Sequence, residues 1–223
     1  MQLQLIYRKL ALITALSVTL LSGCLGQKPE ANFYVAFESA TKQEKTMFED
    51  TKKLAALEKN GQELYTQITI EGKENNQVVK EKLDQAVTNI HDRKKILEKE
   101  KTALDNAQKE VKSVDNYIKK LEDKKLQEQA EKVQDMYRKR TDSFEKLYDS
   151  YKKSLQLEEE LYKMLQTKDE KLKSINEKVK MLNQSYEQIL SNKDRFNTYT
   201  NEYNQKKLAF YKQANIKINE VQK

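Results

Sequence analysis

The sequence predicts an all-α protein, an elongated up-and-down antiparallel four-helix bundle. Turn-forming residues are nearly absent: Pro29 is the one proline, and of four glycines only Gly61 and Gly72 stand in the body of the chain. A sheet protein needs many tight turns, and a chain poor in Gly and Pro has few ways to make them. Apolar residues recur at spacings of three and four over four long stretches, the mark of amphipathic helices. Asp, Glu, Lys and Arg make up 35% of the residues, as solvated helix faces require.

The first stripe runs through Phe33, Phe37, Ala40, Met47, Leu54 and Leu57. Asn60–Gly61 is expected to interrupt it before Leu64, Ile68 and Ile70. The segment 71–76, "EGKENN", is the clearest turn, with Gly72 as the residue past the helix end and Asn75 or Asn76 as the next N-cap. The second stripe is Val79, Leu83, Ala86, Ile90, Leu97, Leu104, Ala107, Val111, Val114, Ile118 and Leu121, a heptad pattern of helices packed at shallow angles. A step of five then reaches Leu126, and a third stripe follows: Ala130, Val133, Tyr137, Phe144, Leu147, Tyr151, Leu155, Leu161 and Leu165. Thr167 to Glu170 reads as a capping box. The fourth stripe is Leu172, Ile175, Val179, Leu182, Tyr186, Ile189, Phe196, Tyr199, Tyr203 and Phe210.

Stripes of this length predict helices of about 60–75 Å, and short connections make neighbours antiparallel. Acid-before-base pairs four residues apart, Asp135–Lys139 and Glu159–Lys163 among them, support the exposed faces by a few tenths of a kcal/mol each. The second turn falls within 113–128, where no Gly or Pro marks it. Without that turn, residues 75–166 would form one helix of about 138 Å, and the protein would be a three-helix or coiled-coil rod.

The N-terminal segment has a different character. Arg8 and Lys9 precede a run from Leu10 to Leu21 that is too short to span a bilayer comfortably. Ser22 and Gly23 follow, then Cys24, the single cysteine. This is the layout of a secretory signal. Leu21–Ser22–Gly23–Cys24 resembles the lipobox of bacterial lipoproteins. That resemblance implies a diacylglyceryl group on the Cys24 sulfur and cleavage between Gly23 and Cys24. The expected organisation is a signal peptide over 1–23, a lipidated tether over 24–30 and a helical domain over 31–223. Losing the leader removes Arg8, Lys9 and no acid, so 40 basic side chains remain against 35 acidic ones, a formal excess of +5. The expected location is the outer face of the cell membrane, held there by the lipid.

Little in the chain suggests a reaction. His91 is the only histidine, so neither a helical metal site nor a Ser–His–Asp triad can be assembled. Glu158–Glu160 is read as a run on a solvated face, because consecutive helical residues diverge. Too few glycines remain for a phosphate-binding loop. No catalytic residue, metal ligand or cofactor is therefore assigned. The eleven tyrosines after the leader are expected to flank a narrow core, ring inside and hydroxyl at the rim. The positive balance suits anionic lipid or phosphate-rich wall polymers. Export argues against nucleic acid.

With its lipobox, short tether and long Lys/Glu-rich helices, the chain resembles the YkyA-like cell-wall-binding lipoproteins of Gram-positive bacteria. The resemblance implies an elongated, left-handed up-and-down four-helix bundle and a role in contacting peptidoglycan or teichoic acid. It brings no catalytic residues. The other role open to such a chain is a helical scaffold or regulator binding another envelope protein.

Overall fold

Pro29 occupies the first turn of the first helix, where its missing N–H costs nothing and its fixed φ suits the helix. It therefore starts a helix inside the segment expected to be tether. The computed structural model describes residues 28–71, 77–167 and 170–217, which are almost entirely helical with no strand among them. The leader, Gly23, Cys24, Gly72, Asn75 and Asn76 lie outside the described residues. The helices are α1 (Pro29–Gln43), α2 (Met47–Glu71), α3 (Gln77–Glu110), α4 (Val114–Ile118), α5 (Lys124–Gln166) and α6 (Leu172–Gln213). The four expected helices correspond to α1 with α2, α3 with α4, α5, and α6, giving the all-α bundle.

Several local expectations need correction. Gly61 does not interrupt its helix; α2 runs straight through it. The break in this stretch lies at Glu44–Thr46, where Lys45 N–H turns to the Lys42 carbonyl (3.3 Å) and Met47 N–H to that of Glu44 (3.0 Å). These tight i−3 bonds need no glycine. A second such break separates α3 from α4, with Val114 N–H on the Val111 carbonyl at 3.1 Å. Thr167 forms no capping box: its hydroxyl donates back to the Lys163 carbonyl (3.1 Å), closing α5. Leu172 and Ile70, expected on core stripes, are 68% and 77% exposed.

The second turn exists, at Lys119–Asp123, so one helix over 75–166 is excluded. Asp123 makes it: its Oδ1 accepts from the N–H groups of Lys125 (2.8 Å) and Leu126 (3.2 Å), an N-cap for α5. Leu121, 7% exposed, anchors the turn in the core. The last helix ends in a Schellman motif. Asn215 takes φ 52°, and Ile216 N–H reaches the Tyr211 carbonyl at 3.0 Å.

The described residues divide into two compact units. The first takes α1, the α3–α4 segment from Thr102, α5 to Phe144, and α6 from Asp194. Its core is aromatic: Phe33, Phe37, Tyr137, Tyr203 and Phe210 form a chain of rings with centroids 4.3–5.8 Å apart. Each such pair adds roughly 0.5–1.5 kcal/mol beyond burial. The second unit takes Glu49–Lys101 and Glu145–Lys193. Its core is mostly aliphatic, built on Leu54, Leu64, Ile68, Leu83, Ile90 and Leu155. Within this unit α2 and α3 run antiparallel, since Thr51 meets Glu100 while Gln67 meets Lys82.

Candidate functional site

Each apolar stripe skips positions, and polar residues fill them. Arg140 sits midway between Tyr137 and Phe144, Arg93 between Ile90 and Leu97, Glu44 between Ala40 and Met47, and Lys207 between Tyr203 and Phe210. All four are buried at 5% exposure or less. A charge in such a place must be paired, because desolvation alone would cost several kcal/mol.

In the first unit Arg140 forks onto Glu44, Nη1 to Oε1 at 2.9 Å and Nη2 to Oε2 at 2.6 Å. Its Nε donates to Thr200 Oγ1 at 3.1 Å, and its guanidinium lies 5.0 Å from the Phe196 ring centre. Burial works to lower the Arg140 pKa, but the Glu44 charge more than offsets it, and the pKa rises. Lys207 donates to Glu38 Oε1 and Thr41 Oγ1, both at 3.1 Å, and the Tyr211 hydroxyl donates to the same Glu38 oxygen at 2.9 Å.

The second unit repeats the device with Arg93 and Glu158, joined by both guanidinium nitrogens. The Tyr186 hydroxyl donates to Glu158 Oε1 at 2.8 Å. Glu158 is thus not on a solvated face as its run of three suggested; it is 4% exposed. Glu159 and Glu160 are half-buried and pair outward with Lys163 and Lys178. His91 is exposed. Among the described residues no group of three or more His, Cys, Asp or Glu side chains could hold a metal ion.

The tyrosines do line the cores, but several hydroxyls are not at the rim. Those of Tyr34 and Tyr137 are buried without a hydrogen-bond partner among the described residues. Burial, with Glu38 nearby, pushes the Tyr34 hydroxyl up to about 12. Two expected surface pairs form, Asp135–Lys139 at 2.8 Å and Glu159–Lys163 at 2.7 Å.

One cleft opens in the first unit beside the α3–α4 break, about 220 Å³ in volume, with Val111, Tyr137 and Arg138 among its walls. Arg138 is tied to Asp115 Oδ2 at 3.3 Å, and Gln134 donates to Oδ1 of the same carboxylate at 2.9 Å. Asp115, Gln134 and Arg138 are thus engaged with one another at this cleft. The buried carboxylates Glu44 and Glu158 face their own cations. These pairings are features of packing and register.

The buried charges were the residues a stripe-based reading passed over. The signal was present as skipped heptad positions. It was strengthened by composition: the chain has only five arginines, and two of them, Arg93 and Arg140, fill such gaps. Arg suits buried pairing because its planar fork matches a carboxylate.

No curated protein matches the chain. A 1.6 Å crystal structure of a conserved protein of unknown function from Staphylococcus aureus shares the fold, with a TM-score of 0.63 at 19% identity. The match covers 84% of this chain and 98% of that one. The family profile described as "YkyA: Putative cell-wall binding lipoprotein" matches residues 28–213, so the chain belongs to this family.

Proposed function

We propose that this protein is a non-enzymatic lipoprotein of the outer face of the cell membrane, anchored by a diacylglyceryl group on Cys24, whose helical domain contacts cell-wall polymer. The observation that carries the reading is the pairing of the Leu21–Ser22–Gly23–Cys24 box with membership in a family described as wall-binding lipoproteins. Two acyl chains hold a protein firmly where one is marginal. No helix of the described residues is long and apolar enough to cross a membrane.

Two experiments test this reading. Cys24→Ser should leave the bundle folded and shift the protein out of the carbonate-washed membrane fraction; a variant that stays there sinks the anchor. The mature chain should be retained on purified wall sacculi at low salt, and a lack of retention with and without teichoic acids sinks the wall-binding half.

A second reading, a scaffold for another envelope protein, draws support from exposed apolar residues at helix ends in the second unit. Ile70, Val78 and Leu172 are 77%, 49% and 68% exposed. In-cell crosslinking that captures only wall fragments counts against it.

A further inference from the structure

The chain enters the fold at Lys28–Pro29, and three segments meet at that end of the first unit. Phe33 and Tyr34 at the start of α1 share one core cluster with Ile118, Leu121 and Leu126 of the second turn, and with Tyr211, Ala214 and Ile216 at the close of α6. Their burial brings the intervening polar residues to the same end. Those residues are mostly lysines: Lys28 before α1, Lys119, Lys120, Lys124 and Lys125 in the turn, and Lys212 and Lys217 at the close of α6, all exposed.

None of these seven ammonium groups has an ion-pair partner among the described residues. Over 28–34, 119–126 and 211–217 the acids are Glu30, Glu122 and Asp123, of which Asp123 is engaged as a helix cap. The three segments therefore carry a formal +4, most of the +5 excess of the whole chain beyond the leader. The charge is concentrated where the chain enters the fold.

The distance to a membrane follows from chain length. Five residue steps separate Cys24 from Pro29 and extend at most about 18 Å. That is roughly two Debye lengths at physiological salt, and a lysine side chain shortens the gap further. This reach holds only with the proposed lipid anchor at Cys24. From it we infer that the lysine-rich end of the first unit is a second membrane contact, an electrostatic seat on the anionic headgroups of the lipid surface holding the acyl chains. The occupant is a lipid surface because an anchored chain cannot place this end far from one. The contact adds a second signal to the anchor and holds α1 near the bilayer.

The test supplies the lipid chemically, so it does not depend on processing in the cell. The mature chain is coupled through the Cys24 thiol to one myristoyl-length chain, which alone binds membranes marginally. Co-sedimentation is measured with vesicles of pure phosphatidylcholine and with vesicles containing phosphatidylglycerol. Each lysine close to an anionic surface adds roughly a five-fold gain in partitioning. Anionic vesicles should therefore bind the protein at least about ten-fold more tightly than neutral ones, with the gain lost in high salt.

The variant with Lys119, Lys120, Lys124 and Lys125 all changed to Gln should lose that gain while melting at the same temperature. Equal binding to both vesicle types overturns the proposal, as does an anionic preference that survives the four substitutions. It is also overturned if those substitutions abolish retention on teichoic-acid-bearing sacculi but leave vesicle binding intact, since the patch would then serve the wall polymer. Failure of Cys24 lipidation in cells shows up separately, in the Cys24→Ser fractionation.

Discussion

Arg140 on α5 and Glu44 at the end of α1 meet as fork on fork, both fully inside the first unit, with nitrogen–oxygen distances of 2.9 and 2.6 Å. The contact spans 96 residues of sequence and lies where α1 gives way to α2. Glu44 closes α1, and its side chain satisfies a cation that otherwise has only Thr200 as a polar partner.

Removing one member leaves a buried, uncompensated charge, which costs about 3–5 kcal/mol. Arg140→Met and Glu44→Leu should each lower stability on this scale in urea unfolding. The double variant Glu44→Leu with Arg140→Met should cost far less than the two losses combined. Additive losses in the double-mutant cycle would show that the residues do not act as a pair.

Gly61 tests a close approach of two helices in the second unit. A Cβ at this position would lie 2.9 Å from Asn89 Oδ1. Asn89 cannot yield easily, because its Nδ2 donates to the Leu57 carbonyl at 2.8 Å and to Asn60 Oδ1 at 3.0 Å. Gly61→Ala gains up to about 1 kcal/mol of helix propensity. Overpacking costs about 1–3 kcal/mol, and displacing Asn89 adds the loss of its hydrogen bonds. Gly61→Ala should therefore lower the melting temperature, and adding Asn89→Ala should relieve the clash. A single variant that melts higher than the parent contradicts the close packing.

Glu100 on α3 gives the second unit a pH dependence. It is 6% exposed and accepts one hydrogen bond, from Thr51 Oγ1 at 3.1 Å. Asp50 and Glu58 of α2 face it, with Lys193 of α6 as the opposing charge. Burial, reinforced by those two acids, pushes its carboxyl from the ordinary 4.5 up to about 7. Its contribution to stability is fully present below about pH 4.5, where both folded and unfolded chains are protonated. That contribution is withdrawn as the pH rises to about 7, and the cost stays constant above it. Glu100→Gln should therefore stabilise the protein by about 1–3 kcal/mol at pH 8 and by almost nothing at pH 4. An equal effect at both pH values would mean that burial does not raise the Glu100 carboxyl above its unfolded value.

The heptad steps from Val79 to Leu121 and from Leu126 to Leu165 made α3, α4 and α5 legible in advance, because a helix exposes its packing face in its own spacing. Boundaries were less legible where ordinary residues make them. The α1–α2 and α3–α4 breaks carry no Gly or Pro, and the 113–128 turn is set by a single Asp123 carboxylate on two N–H groups. Gly61 misled for the opposite reason. Glycine usually marks a break, but here it marks the place where Asn89 of the neighbouring helix comes close.

The sequence by itself determined the helices and most of their apolar faces, since both follow from local periodicity. Only the tertiary structure decided which charges satisfy one another. Arg140 reaches Glu44, Arg93 reaches Glu158 and Lys207 reaches Glu38 across 96, 65 and 169 residues. It also decided that lysines from three distant segments share the end where the chain enters the fold. A buried charge is held by whatever carboxylate packing brings within about 3 Å, and spacing along a chain carries no information about that distance.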